Sequence, residues 1–321
     1  MSSESPIRCA RLAPSPTGAQ HVGNARTFLL AWFSARSQGA QVILRIEDID
    51  SPRVKPWAMA QAADDLRWLG LDWDAGPVVQ TTRLDVYRAL LDDLKRRELV
   101  YPCICTRSDV DAAASAPHVG QEGPLYPGTC RHLTVGDAAA LGERPYAWRF
   151  RVDETAGVMM YHDLVAGPQR CNVATELGDF VVGKSDGSPA YQLAVVADDH
   201  AMGMTEVIRG DDLIPSTFRQ MLLYAAMDWS PPSFAHVPLV IGPDGRRLAK
   251  RHGDTRLSVL RDAGVPPERL IGLLAWSCGL QGTTAPIMAR DLLTTFDWQS
   301  LPRSPFVFAP AMWSELMASN A

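Results

Sequence analysis

The stretch from Arg11 to Asn24, RLAPSPTGAQHVGN, decides the fold class. Ile7–Leu12 reads as a short strand that runs into a Pro/Gly loop, APSPTGAQ. A helical pattern then begins at about Asn24, with Phe28, Leu29, Trp32 and Phe33 on one face. Gln41–Ile46 reads as a second strand, and amphipathic helices follow at Trp57–Leu69 and Arg83–Leu99. Strand, helix, strand, helix opens a parallel α/β sheet. At the loop, glycines let backbone approach a ligand. The helix N-terminus offers N–H groups and a positive dipole end to phosphate. His21 stands where its imidazole could hydrogen-bond a phosphate oxygen, or simply cap the helix.

Downstream, the pattern breaks. Residues 101–147 are rich in Cys, Pro, Gly and small residues and read as an inserted module. Strand patterns return at Ala147–Val152, Val158–Leu164 and Ala190–Val196. Glu206–Arg209 and a helix near Thr217–Met227 then complete the first sheet, which makes the first domain discontinuous. Beyond Ile241 a Gly/Arg-rich loop leads to helices near Arg256–Ala263 and Pro267–Gly279. The tail after Leu301 carries no readable pattern.

Composition limits the class. The chain has 321 residues, 46% hydrophobic and 21% charged, which fits a globular protein of two or three domains. A net charge of −5 argues against a protein that coats nucleic acid non-specifically. A local basic patch exists all the same: Arg246, Arg247, Lys250, Arg251 and Arg256 against Asp244 and Asp254. With no long apolar run and no apolar segment in MSSESPIRCARLAPSP, the expectations are no membrane span, no secretory signal and a cytoplasmic location.

Three further segments bear chemistry. GRRLAKRHG, residues 245–253, is a glycine-hinged loop with a central lysine, suited to clamp a polyphosphate. Cys103-Ile-Cys105 and Cys130 offer three thiols at zinc spacing, with His132, His118 or the Tyr126 phenolate as fourth ligand. By residue type alone His132 is the choice, since tyrosine rarely binds zinc. The third is a charged set. It comprises Arg45, Glu47, Asp48 and Asp50 in LRIEDID, and Asp198, Asp199, Arg209, Asp211 and Asp212 further on. A substrate ammonium wants a carboxylate such as Glu47. A substrate carboxylate wants the fork of Arg11 or Arg209. For any single charge, a surface salt bridge is the plainer reading.

Together these segments resemble the class I aminoacyl-tRNA synthetases of the glutamyl type. HVGN looks like the family's HIGH element and RLAKR like its KMSKS loop. RLAPSPTG, RIEDID, SPAYQLAVVADDH and VIRGDDLIPSTFRQ are similar to its glutamate-site segments, in the same order. The match covers about residues 8–280. It implies a Rossmann-type catalytic domain split as 1–100 and 187–240, a zinc-bearing acceptor-type insertion at 101–186, and a short helical region at 241–321. The cysteine pattern resembles that of the branch whose members activate glutamate without tRNA and attach it to the queuosine base of tRNA(Asp). The short stretch after the KMSKS-like loop, with no room for an anticodon-binding domain, points the same way.

The resemblance implies L-glutamate, ATP with Mg²⁺ and queuosine-bearing tRNA(Asp) as partners, and one structural zinc. A monomer is the expectation. Arg11, Leu12, Ala13, Pro14, Ser15, Glu47, Tyr191 and Arg209 would contact glutamate. His21 and Lys250 would bind ATP and carry catalysis. Cys103, Cys105, Tyr126 and Cys130 would hold zinc, so the resemblance selects Tyr126 over His132. Two positions depart from the family pattern: Asn24 replaces the second histidine of HIGH, and Ala249 the serine of KMSKS. The alternatives are a truncated glutamyl-tRNA synthetase acting on tRNA(Glu), and an inactive synthetase-like binding protein, for which only Ala249 speaks.

Overall fold

The computed structural model describes residues 8–49, 54–113, 125–248 and 254–318. Cys9–Leu12 forms β1 and Gln41–Ile46 forms β2, paired in parallel from Cys9 opposite Gln41 to Leu12 opposite Leu44. Almost every residue of both strands is buried, as in a sheet covered on both faces. Helix α1, Val22–Ser37, crosses between them and begins two residues before the expected Asn24. It is buried along most of its length. Its Arg26, 1% exposed, donates to the Pro238 carbonyl and to the hydroxyl and carbonyl of Ser277. A buried charge is tolerated here because its donors meet acceptors.

Helix α2, Pro56–Trp68, leads to a third parallel strand, β3, Ala75–Val79, alongside β2. The sequence pattern did not announce β3, because AGPVV contains both residues that usually interrupt strands. Gly76 has φ +101°, and a Cβ there would lie 2.3 Å from the Leu44 carbonyl oxygen. The close strand approach therefore requires glycine. Helix α3, Leu84–Arg96, follows as expected.

The inserted stretch contains β4, Val100–Cys103, helix α4, Arg107–Ala113, β5, Ala147–Phe150, and β8, Phe180–Gly183. The three strands form an antiparallel sheet in the order β4-β5-β8. Between β5 and β8 stands an antiparallel hairpin, β6, Val158–Asp163, with β7, Gly167–Asn172.

The chain then returns to the parallel layer. The expected strand Ala190–Val196 is instead the start of helix α5, Tyr191–Ala201. Leu193 through Asp199 are all buried, so the helix has no polar face and its β-branched run mimics a strand. Strand β9, Glu206–Gly210, helix α6, Ile214–Ala226, and strand β10, Ser233–Val237, follow. β9 and β10 pair in parallel. Just before β9, the Thr205 N–H donates to the Cys9 carbonyl at 2.8 Å, which joins this pair to β1. The hairpin is fastened to the same layer, since Leu164 N–H donates to the Phe234 carbonyl at 2.9 Å.

The last part holds β11, Val240–Ile241, α7, Leu257–Asp262, and α8, Pro267–Ser277. The unread tail supplies β12, Phe306–Val307, which pairs in parallel with β11, and α9, Pro310–Met317. Among the described residues no helix is long and apolar enough to cross a membrane.

Candidate active site

A cavity of about 470 Å³ opens where β1, β9 and the N-terminal end of α1 meet. Its size is that of ordinary ligand pockets. It lies at the carboxyl ends of parallel strands, where open α/β sheets bind ligands. Of the residues picked out from the sequence, Arg11, Ala13, Pro14, Ser15, His21, Glu47, Tyr191 and Arg209 all line it. Leu12 does not. It is 1% exposed with its side chain in the apolar core, because side chains alternate along β1 and Arg11 takes the cavity side. Lys250, Ala249, Arg251, Asp50 and His118 fall outside the described residues.

The floor is an ionic network built on β2. Arg45, fully buried, donates to Asp199 at 2.6 Å and to Glu47 at 2.8 Å. Arg11 Nε lies 3.4 Å from the same Asp199 carboxylate, and its Nη1 donates to the Ile208 carbonyl at 3.2 Å. Arg45 is held above the ordinary arginine range: burial opposes its charge, and the carboxylates of Asp199 and Glu47 outweigh that. These are buried pairs rather than surface salt bridges. Asp198 serves a different end. It accepts from Gln80, Arg83 and Tyr87 and ties α5 to α3. Asp48 accepts from the backbone and hydroxyl of Thr81.

Arg209, at 5% exposure, forms the opposite wall. Its Nε donates to His236 Nε2 at 3.1 Å and its Nη2 to Thr217 Oγ1 at 2.6 Å. Its Nη1 is buried and has no hydrogen-bond partner. An unpaired buried guanidinium nitrogen is costly, which sets Arg209 apart among the cavity residues. Sequence reasoning missed His236, Thr217 and Asp163, the partners around Arg209. Asp163 is separated from His236 by 73 positions, and no local motif signals the pair.

At the mouth, His21 caps α1. Its Nδ1 accepts from the Gly23 N–H at 3.1 Å, while the Asn24 side chain accepts from the His21 N–H at 3.1 Å. Asn24 thus completes a capping box. The N–H groups of Val22, Gly23 and Ala25 are all bonded within the protein, to Thr255, His21 and His21 in turn. The expectation of free helix N–H groups for phosphate is corrected to that extent. What remains is the imidazole. Burial, helped by the Arg247 charge, lowers it to about 4, and with Nδ1 an acceptor the neutral ring carries its proton on Nε2. The same corner grips the basic loop from both sides. Leu248 N–H donates to the Val240 carbonyl, and beyond the loop Val22 and Leu257 bond to Thr255 and Gln20. Arg247 lines the cavity and pairs with Asp212 at 2.6 Å.

The cysteine cluster sits away from this cavity. The Sγ atoms of Cys103, Cys105 and Cys130 lie within 4.8 Å of one another, close enough to hold one metal ion. The Tyr126 hydroxyl is 3.3 Å from Cys103 Sγ and 3.7 Å from Cys105 Sγ, and accepts from the Cys130 N–H at 2.8 Å. His132 is exposed, and no histidine nitrogen joins the group among the described residues. Arg149 supports the cluster from outside. Its Nε donates to Cys103 Sγ at 3.2 Å and its guanidinium covers the Tyr126 ring at 3.8 Å. Burial opposes ionisation of Cys130, but bonds from the Ile104 N–H and the Tyr126 hydroxyl outweigh it, so that thiol is held below its ordinary value.

A profile of the class I tRNA synthetases (E and Q), catalytic domain, matches residues 8–310. The chain belongs to this family. Within it, a glutamyl-Q tRNA(Asp) synthetase of Rhodopirellula baltica is 52% identical, over 92% of this chain and 95% of the relative. A glutamate–tRNA ligase of Geobacter sulfurreducens is 41% identical, over 94% of this chain but only 63% of the ligase. Among solved structures, a glutamate tRNA ligase from Elizabethkingia meningosepticum, in complex with its amino acid, superposes with TM-score 0.82 at 27% identity. That match covers 97% of this chain and 69% of the other. The Rossmann-type α/β architecture is thus that of a class I catalytic domain.

Proposed function

We propose that this class I synthetase activates L-glutamate with ATP as glutamyl-adenylate, without tRNA, and passes the glutamate to the queuosine base in the anticodon loop of tRNA(Asp). The observation that carries the first step is Arg209, with its buried Nη1 unpaired, in the lining of a cavity that also holds Arg11, Glu47 and Tyr191. Arg209 binds a substrate carboxylate and Glu47 its ammonium. Arg11 and the Ala13–Ser15 backbone complete the glutamate site. His21 donates from Nε2 to an ATP phosphate oxygen, and Lys250 brings positive charge to the same phosphates, with Mg²⁺ accompanying ATP.

In the reaction, a glutamate carboxylate oxygen attacks the α-phosphorus in line. A P–O bond to glutamate forms, the bond to pyrophosphate breaks, and no proton has to move. Catalysis is positioning plus stabilisation of phosphoryl charge. A hydroxyl of the queuosine cyclopentenediol then attacks the adenylate carbonyl and releases AMP. Support for queuosine as acceptor comes from the higher identity to the glutamyl-Q relative. Cys103, Cys105, Tyr126 and Cys130 fit a tetrahedral zinc, which when bound would cross-link the insertion and take no part in the chemistry.

The test is glutamate-dependent ATP–pyrophosphate exchange without tRNA, followed by transfer of labelled glutamate to tRNA(Asp) with and without queuosine, and to tRNA(Glu). Label only on queuosine-bearing tRNA(Asp) is expected; label on tRNA(Glu), or no exchange, overturns the reading. Arg209→Ala should cut the exchange about a hundredfold, as loss of a buried charged partner does.

A further inference from the structure

Arg209 is held by a chain of buried groups that starts in the β6–β7 hairpin. Asp163, the last residue of β6, and His236, on β10, are 0% and 1% exposed. His236 Nδ1 lies 2.5 Å from Asp163 Oδ2. On the other side of the ring, Nε2 receives Arg209 Nε at 3.1 Å and sits 3.0 Å from Thr217 Oγ1. A carboxylate at Nδ1 and an arginine N–H at Nε2 admit one neutral tautomer, with the proton on Nδ1. Burial keeps the ring neutral, against the pull of Asp163. His236 thus presents an acceptor to Arg209. With Nε on His236 and Nη2 on Thr217, the planar guanidinium has one orientation left, and Nη1 is the nitrogen that stays unpaired.

We propose that Asp163 and His236 are positioning residues, which fix the histidine tautomer and so aim Arg209 Nη1 at the substrate carboxylate. This rests on the reading of Arg209 as a glutamate-binding residue. The device resembles a carboxylate–histidine pair in which the carboxylate chooses the tautomer and the far nitrogen does the work. Here that far nitrogen orients a cation instead of taking a proton. It also makes the hairpin, which lines none of the cavity, a determinant of glutamate affinity.

Asp163→Asn is the decisive variant, because the structure dictates how the amide must sit. Asp163 Oδ1 accepts from the N–H groups of Val165, Ala166 and His236, at 2.9, 2.7 and 3.0 Å. The asparagine oxygen must keep that place, so its NH₂ faces His236 Nδ1 and forces the ring proton onto Nε2. There it opposes Arg209 Nε–H. The turn hydrogen bonds survive while the guanidinium loses its acceptor. His236→Gln and His236→Leu form a second pair of nearly equal size, of which only glutamine keeps an acceptor.

The measurements are KM for glutamate, KM for ATP and kcat in pyrophosphate exchange, with Tm as a folding control. Asp163→Asn should raise KM for glutamate about tenfold, the scale of one lost hydrogen bond to a charged group, with KM for ATP unchanged. His236→Gln should retain more glutamate affinity than His236→Leu at similar Tm. A wild-type KM for glutamate in Asp163→Asn, or equal values in the two His236 variants, overturns the proposal. If Asp163→Asn does not fold, the His236 pair decides. Should Arg209→Ala itself keep the wild-type KM for glutamate, the glutamate-site reading has failed. A defective Arg209→Ala beside a normal Asp163→Asn sinks only the positioning role.

Discussion

His21 is both a helix cap and part of the cavity lining. As N-cap it accepts the Gly23 N–H, and as a cavity residue it offers Nε2–H outward. Its pKa is lowered from 6.5 to about 4. Because the unfolded chain binds the proton first, His21 is neutral in both states above about pH 6.5 and contributes nothing to pH dependence there. Between about pH 6.5 and 4 the unfolded state is favoured progressively, and below 4 no further cost accrues. His236, also lowered chiefly by burial, acts in the same direction. Thermal unfolding across that window should show Tm falling with pH, and His21→Asn, which keeps a cap, should flatten part of the fall. An unchanged slope in the variant would contradict the lowered pKa. Arg11, His21, Glu47 and Arg209 were legible in the sequence because each sits in a short ordered segment. Asp163, His236 and Thr217 were not, since what they do depends on strands that only the folded sheet brings together.

Among the elements, legibility followed amphipathicity. Helices α2 and α3 stripe their apolar residues and β2 is a short apolar run, and all three appear where the pattern placed them, within a few residues. Helix α5 is buried on all sides and β3 carries Gly76-Pro77, so one was misread as a strand and the other missed. Of the inserted β4-β5-β8 sheet only β5 was legible, since β4 and β8 are four-residue strands without a pattern of their own. If zinc organises the cysteine-rich stretch, native mass spectrometry should find one zinc per chain. Cys130→Ser should abolish it, while His132→Ala should leave it intact, since His132 is exposed and apart from the thiols. Zinc lost on His132→Ala would make His132 the fourth ligand, and zinc absent from the wild type would return the cluster to three unmetallated thiols.

At the scale of the molecule, the parallel layer is a three-stranded sheet, β1-β2-β3, beside a two-stranded one, β9-β10, from two separated stretches of sequence. Thr205 stitches them by donating its N–H to the Cys9 carbonyl while accepting one from Ser233. Repeated strand–helix alternation on either side of a Cys- and Pro-rich interruption was enough to expect a discontinuous sheet. No sequence signal gave the backbone bonds that bind the first loop to the segment after residue 253. Those bonds have a consequence for engineering. Leu248 is fastened to Val240 on one side, and Thr255 to Val22 on the other, so the residues between are a tether with both ends anchored. Inserting one, two or four glycines there leaves both fastenings in place, and doubling such a span costs only about 0.6 kcal/mol of closure entropy. Tm should therefore barely move along the series, while the rate of adenylate formation falls with each added residue. Tether length would then act as a dial on turnover, separable from the strength of the fold.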